Sequence, residues 1–231
     1  MLTQCVMKSA IILGSGYTGK YLAELGRQKK YAEEIFETSR SSRFIRFELQ
    51  RAETWRNLPS ADIAFWTFPA LPLEDVRTFL NKTKDRIKKI VVIGSTSAFK
   101  TTAEDAEVSE QTPLHLSDLR VRGEEEIRSR GGIVVRAAGI YGPGRNPIDW
   151  LKSGRVKSFQ KFVNFIHVED LAGILWAAAF SGTAGDSFIA SDNRPFRWSE
   201  LVTLEFAEHK PIDVVPSPAR RFYRRNGGAL R

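Results

Sequence analysis

The chain has 231 residues, 42% of them hydrophobic and 27% charged, with one cysteine and a formal net charge of +8. That length suits one α/β domain with a small appended lobe at most, and the composition excludes wholesale disorder. A lone Cys5 excludes a disulfide framework or a cysteine-built zinc site within one chain. The first eight residues lack the layout of a secretory signal, and the longest apolar run, residues 171–180, is half a membrane span. A soluble, cytoplasmic protein with no membrane partner is expected. The positive charge is spread over Lys82, Lys84, Arg86, Lys88 and Lys89 in one stretch and Arg220, Arg221, Arg224 and Arg225 in another. Neither stretch matches a nucleic-acid motif, so no nucleic-acid partner is expected; small anions would be drawn to such a surface as well.

Residues 9–13 are a short apolar run, predicted as a buried strand. Residues 18–30 follow as a helix, with Leu22 and Leu25 on one face. Residues 34–39, 44–49 and 62–68 read as three strands, the last ending at Pro69. Val76, Phe79, Leu80 and Ile87 share a stripe that predicts a helix over 75–87. Residues 90–93 are a fifth strand. Residues 117–130 are predicted helical, with Leu119 and Ile127 inward and Glu124, Glu125 and Glu126 in solvent. Residues 133–136 are a sixth strand. Strands alternating with helices predict an α/β, doubly wound parallel sheet covered on both faces. Residues 139–147 are a Gly/Pro loop, 161–167 a strand, 171–178 part of an amphipathic helix with Asp170 as N-cap, and 187–191 a late strand. A last helix is predicted over 199–208, capped by Ser199, and a frayed basic end over 220–231.

Between the first strand and first helix stands Gly14-Ser15-Gly16-Tyr17-Thr18-Gly19. A Gly-x-Gly-x-x-Gly is a weak signal alone and a much stronger one between a strand and a helix. Gly14 permits the turn, Gly16 lets backbone approach a pyrophosphate, and Gly19 lets helix and strand pack closely. The helix start offers free N–H groups and a positive dipole end to the phosphates. The second strand closes on Glu37-Thr38-Ser39-Arg40-Ser41-Ser42-Arg43. NAD enzymes place an acid at that end for the ribose 2′-hydroxyl. Here Ser39 takes roughly that place, with Arg40, Ser41 and Arg43 beside it, a set suited to a 2′-phosphate. NADP is therefore the expected cofactor. NAD is the alternative, with Glu37 as the acid, although Glu37 lies well inside the strand.

Six segments in order resemble the extended short-chain dehydrogenase/reductases, the NAD-dependent epimerase/dehydratase family. They are residues 12–19, 62–70, 91–99, 136–145, 165–175 and 187–201. Leu13 departs from the pattern, standing where the extended type has its first glycine. The resemblance implies a Rossmann-like sheet over the whole chain, 1–231, with residues 139–231 giving a reduced C-terminal substrate lobe. It implies a small-molecule substrate: a carbonyl, an alcohol or a nucleotide sugar. It places Thr67, Phe68 and Pro69 against the cofactor and Ser95, followed by Thr96, at the catalytic Ser/Thr position. Tyr141, Arg145 and His167 fall on its substrate side, though a packed, structural His167 is the plainer reading. A homodimer stays open.

Active members of that family use a Tyr-x-x-x-Lys pair on one helix face, the phenol transferring a proton and the lysine lowering its pKa. This chain has none. The residues four places after its five tyrosines are Tyr21, Leu25, Ile35, Arg145 and Gly227. Counted back from the glutamate run, Asp118 stands at the tyrosine position and Arg122 at the lysine position. An aspartate is normally ionised at neutral pH and an arginine cannot be deprotonated there. The usual proton transfer is thus not expected: either an atypical mechanism operates or the protein binds its nucleotide without chemistry. His115 and His209 have no partners at metal spacing, so no metal is expected. The five tryptophans read as core and lobe packing.

Overall fold

A computed structural model describes residues 6–41, 43–101, 106–156 and 158–201. Seven strands form one parallel sheet: β1 (Met7–Leu13), β2 (Ala32–Ser39), β3 (Ile45–Arg46), β4 (Ile63–Trp66), β5 (Ile90–Ser95), β6 (Ile133–Ala137) and β10 (Ser187–Ala190). Their spatial order is β10-β6-β5-β4-β1-β2-β3. The chain reverses its direction of travel across the sheet between β1 and β4. In sheets of this kind the crevice beyond the strands' carboxyl ends at that reversal is where ligands bind.

Helices α1 (Tyr17–Lys29) and α5 (Val168–Ser181) pack against each other on one face. Helices α2 (Leu73–Thr83) and α3 (Leu119–Ser129) pack against each other on the other. The alternation of β1 explains the two cores. Ala10 and Ile12 join Leu22, Phe65 and Trp176 in one; Ile11 and Leu13 join Trp55, Trp66 and Phe79 in the other. Trp176 also donates from its indole N–H to the Leu22 carbonyl at 2.9 Å, tying α5 to α1.

A third cluster lies beyond β6. Strands β7 (Gly139–Tyr141) and β9 (Phe165–His167) pair in parallel, β8 (Phe162–Val163) pairs with β11 (Phe196–Arg197), and helix α4 spans Pro147–Lys152. Tyr141, Phe165, Trp198 and Leu201 form its buried centre, with Trp150 packed against it. All five tryptophans thus serve cores or this cluster. The loop predicted at 139–147 is partly strand, and the predicted strand at 161–167 is two short ones.

Other expectations need correction. Predicted strand 44–49 shrinks to two residues, because Phe47 and Leu49 bury themselves in non-strand backbone. Leu119 is 57% exposed, while Val121, Glu124 and Ile127 face inward on α3. The N-cap of α5 is His167, whose ring nitrogen accepts from the Glu169 N–H; Asp170 lies in the first turn. Most of the predicted last helix, the basic end and His209 lie outside the described residues. No described helix is long and apolar enough to cross a membrane.

Candidate functional site

Gly14 has φ +93°, backbone that side-chain-bearing residues rarely adopt. A methyl group on Gly19 would lie 2.4 Å from the Gly14 carbonyl oxygen, so α1 crosses the end of β1 as closely as the sequence predicts. The turn uses three of its own N–H groups. Gly14 donates to the Thr38 hydroxyl at 3.0 Å, Ser15 to the Thr38 carbonyl at 2.7 Å and Gly16 to the Gly14 carbonyl at 2.8 Å. Tyr17, Thr18 and Gly19 open the helix, and the first amides of a helix have no intrahelical partner. No side chain caps them and the first turn carries no acid. Beside them Gly16 has nothing within 4 Å of the place a Cβ would take. Uncapped donors at a positive dipole end, beside open space, are an arrangement that suits an anion.

The neighbouring residues divide into those that build this turn and those that border it. The Thr67 hydroxyl donates to the Leu13 and Gly14 carbonyls, and Phe68 packs over Gly14. Pro69 is exposed at the rim. The Ser15 hydroxyl donates to the Glu37 carboxylate, which also takes the Arg27 guanidinium at 2.7 Å. Glu37 is engaged below the turn, and Ser39 lies beyond it at the strand end. The Ser39 and Ser41 hydroxyls stand 2.9 Å apart, with Arg40 and Arg43 exposed alongside. Arg43 rests over the Phe44 ring at 5.4 Å.

The catalytic-side residues are arranged differently from expectation. Ser95 ends β5, and its hydroxyl meets that of Ser97 at 3.0 Å and caps the short 3-10 turn Thr96–Ala98; Thr96 is half-buried. Asp118 is the N-cap of α3, its carboxylate accepting the Arg120 N–H at 2.8 Å. Arg122 is exposed on the far side. The arginine that reaches the Ser95 motif is Arg120, donating to the Ser97 hydroxyl at 3.0 Å. The sequence count puts Arg122 at the lysine position; in the structure Arg120 is the arginine in contact with Ser97.

Behind Arg120 lies an ionic network that sequence reasoning missed. Arg136 on β6 is fully buried and donates to Glu124 and Glu125 at 2.6 Å each. Glu124 is also fully buried, 3.5 Å from the Arg120 Nε, and burial pushes its carboxyl up against the opposing pull of Arg136 and Arg120. The signal was available: an arginine inside an otherwise apolar strand needs a carboxylate, and three consecutive glutamates precede it.

The three substrate-side residues do come together, and Tyr17 joins them. The Tyr141 and His167 rings meet edge to face at 5.1 Å, both buried. Burial, with Asp192 and Asp170 nearby, pushes the Tyr141 hydroxyl up to about 12. His167 Nδ1 accepts the Glu169 N–H at 3.4 Å, the packed role that was the plainer expectation. Arg145 lies over the Tyr17 ring at 5.1 Å. Among the described residues no group of three or more His, Cys, Asp and Glu could hold a metal ion.

No family model and no curated protein matches the chain. Solved structures do match in fold. The RMD protein of Pseudomonas aeruginosa, solved with NADPH, has a TM-score of 0.67 at 16% identity, covering 92% of this chain and 88% of its own. MoeE5, solved with UDP-glucose and NAD, gives 0.69 at 15%, covering 87% and 82%. The dTDP-glucose 4,6-dehydratase of Bacillus anthracis, solved with NAD, gives 0.67 at 16%, covering 90% and 82%. The chain shares their Rossmann-like fold.

Proposed function

We propose that this chain is an NADP(H)-binding protein of the epimerase/dehydratase-like short-chain dehydrogenase/reductase type. It acts on a small carbonyl, alcohol or nucleotide-sugar-like substrate without a tyrosine acid. The whole chain forms one NAD(P)-binding domain in this reading, with residues 139–231 supplying a reduced substrate lobe. The observation that carries it is the open N-terminal turn of α1, with uncapped amides at Tyr17, Thr18 and Gly19. It lies beside the space in front of Gly16, where the sheet reverses. The cofactors named for RMD (NADPH), MoeE5 (NAD) and the dTDP-glucose dehydratase (NAD) support a nicotinamide dinucleotide.

In this arrangement those amides hold the pyrophosphate, and Ser39, Arg40, Ser41 and Arg43 border the adenosine ribose. NADP(H), when bound, supplies or accepts a hydride. Ser95 would orient the substrate oxygen, while Arg120 holds Ser97 and the end of the 3-10 turn in place. The proton is exchanged with water or a substrate group. A second reading, nucleotide binding without turnover as a sensor or regulatory partner, is favoured by Asp118, whose carboxylate is committed to capping α3.

Titration with NADPH and NADH, followed by nicotinamide fluorescence, tests the cofactor. NADPH should bind about tenfold or more tighter, the size of a charge-assisted bond, and Arg40→Ala should remove most of that preference. Equal affinities in the parent protein contradict it. Turnover on a panel of carbonyls and nucleotide sugars separates chemistry from binding alone.

A further inference from the structure

Arg145 belongs, by sequence, to the substrate-side loop, yet its guanidinium rests on Tyr17, the first residue of α1. Two contacts bring the loop there. A Cβ on Gly142 would lie 2.8 Å from the Tyr17 hydroxyl and 3.1 Å from His167 Nε2, so the loop backbone is wedged between the glycine turn and β9. The Gly142 N–H and Arg145 carbonyl, and the reverse pair, close a tight turn at 3.2 and 2.8 Å, which fixes Arg145 at its base. Burial raises the Tyr17 hydroxyl, Tyr21 and Glu169 add to the rise, and Arg145 opposes it.

Arg27, Arg77, Arg128, Arg130 and Arg136 each face a carboxylate within 4 Å; among the described residues Arg145 faces none. It is exposed and held by an aromatic face, where a weakly hydrated guanidinium is well placed to take a phosphate in bidentate fashion.

We infer that Arg145 clamps the pyrophosphate of the bound dinucleotide from the side opposite the helix amides, with Tyr17 as its platform. This rests on the dinucleotide reading above.

The test compares two probes on the full chain. NADPH carries both bridging phosphates; adenosine 2′,5′-bisphosphate keeps the 2′-phosphate and a single 5′-phosphate. Arg145→Ala should weaken NADPH about tenfold or more and the bisphosphate less than about threefold, with part of the NADPH loss recovered in Arg145→Lys. The loss should shrink at high salt. Arg145 is exposed, so the thermal midpoint serves as a folding control. Unchanged NADPH affinity, or an equal loss on both probes, overturns the clamp. A raised substrate KM with unchanged NADPH affinity also overturns it, leaving Arg145 on the substrate. If the parent protein binds neither nucleotide, the dinucleotide reading fails and takes the clamp with it; if it binds NADPH and Arg145→Ala binds equally, only the clamp fails.

Discussion

Two places at the carboxyl edge of one sheet treat charge in opposite ways. At the ends of β1 and β2 the donors stay open: the first amides of α1 are uncapped, and Arg40 and Arg43 face no carboxylate within ion-pair range among the described residues. Around β5, β6 and α3 the charges close on one another. Arg120, Arg128 and Arg136 face Asp118, Glu124 and Glu125, three cations against three anions. Uncompensated positive potential attracts an anionic ligand; a neutralised, buried network fixes a helix to a strand. The same residue type is thus left open in one region and closed into the structure in the other.

Removing one guanidinium from each region breaks that comparison most sharply. Arg136→Ala leaves Glu124 buried without its main partner and should destabilise by about 3–5 kcal/mol, enough to lower Tm by roughly 6–20 °C in a scanning experiment. Arg40→Ala should leave Tm within about 2 °C, because surface charges of this kind contribute little to stability. Similar Tm losses in both variants would erase the distinction. Gly19→Ala, smaller in stability, strikes the open region. Its methyl would lie 2.4 Å from the Gly14 carbonyl, shifting α1 at a cost of about 1–3 kcal/mol and weakening NADPH tenfold or more in the same titration. The smallest effect concerns the lobe. The folded Tyr141 hydroxyl titrates at about 12 against an ordinary 10.0, so the folded state holds its proton where the unfolded chain has lost it. The stability from keeping it neutral is present below pH 10 and is lost as pH rises toward about 12. Tyr141→Phe should flatten that decline in denaturant melts run at stepped pH; an identical decline in the variant would rule Tyr141 out as its source.

The sheet was legible because buried parallel strands and the Gly14–Gly19 turn are local signals: apolar runs, and glycines whose spacing is set by one turn. The surroundings of that turn were legible to the same depth, because chain order sets the end of β2 against it. Ser39, Arg40 and Tyr17 fall where chain order puts them. The α3 side was not, because its pattern is set by a partner twelve residues away. Arg136 draws Glu124 inward, and that rotates α3 so that Leu119 faces out and Arg120, not Arg122, reaches Ser97. A count back from the glutamate run singles out Arg122 and does not see that Glu124 is buried. The Arg145–Tyr17 contact was likewise hidden, since only folding brings residues so distant in sequence together.

A crystal structure of the full chain with NADP tests the central claim most directly. The account predicts the pyrophosphate against the amides of Tyr17, Thr18 and Gly19, with the 2′-phosphate beside Arg40. A nucleotide bound elsewhere, or side chains filling the space in front of Gly16 in the complex, would contradict it.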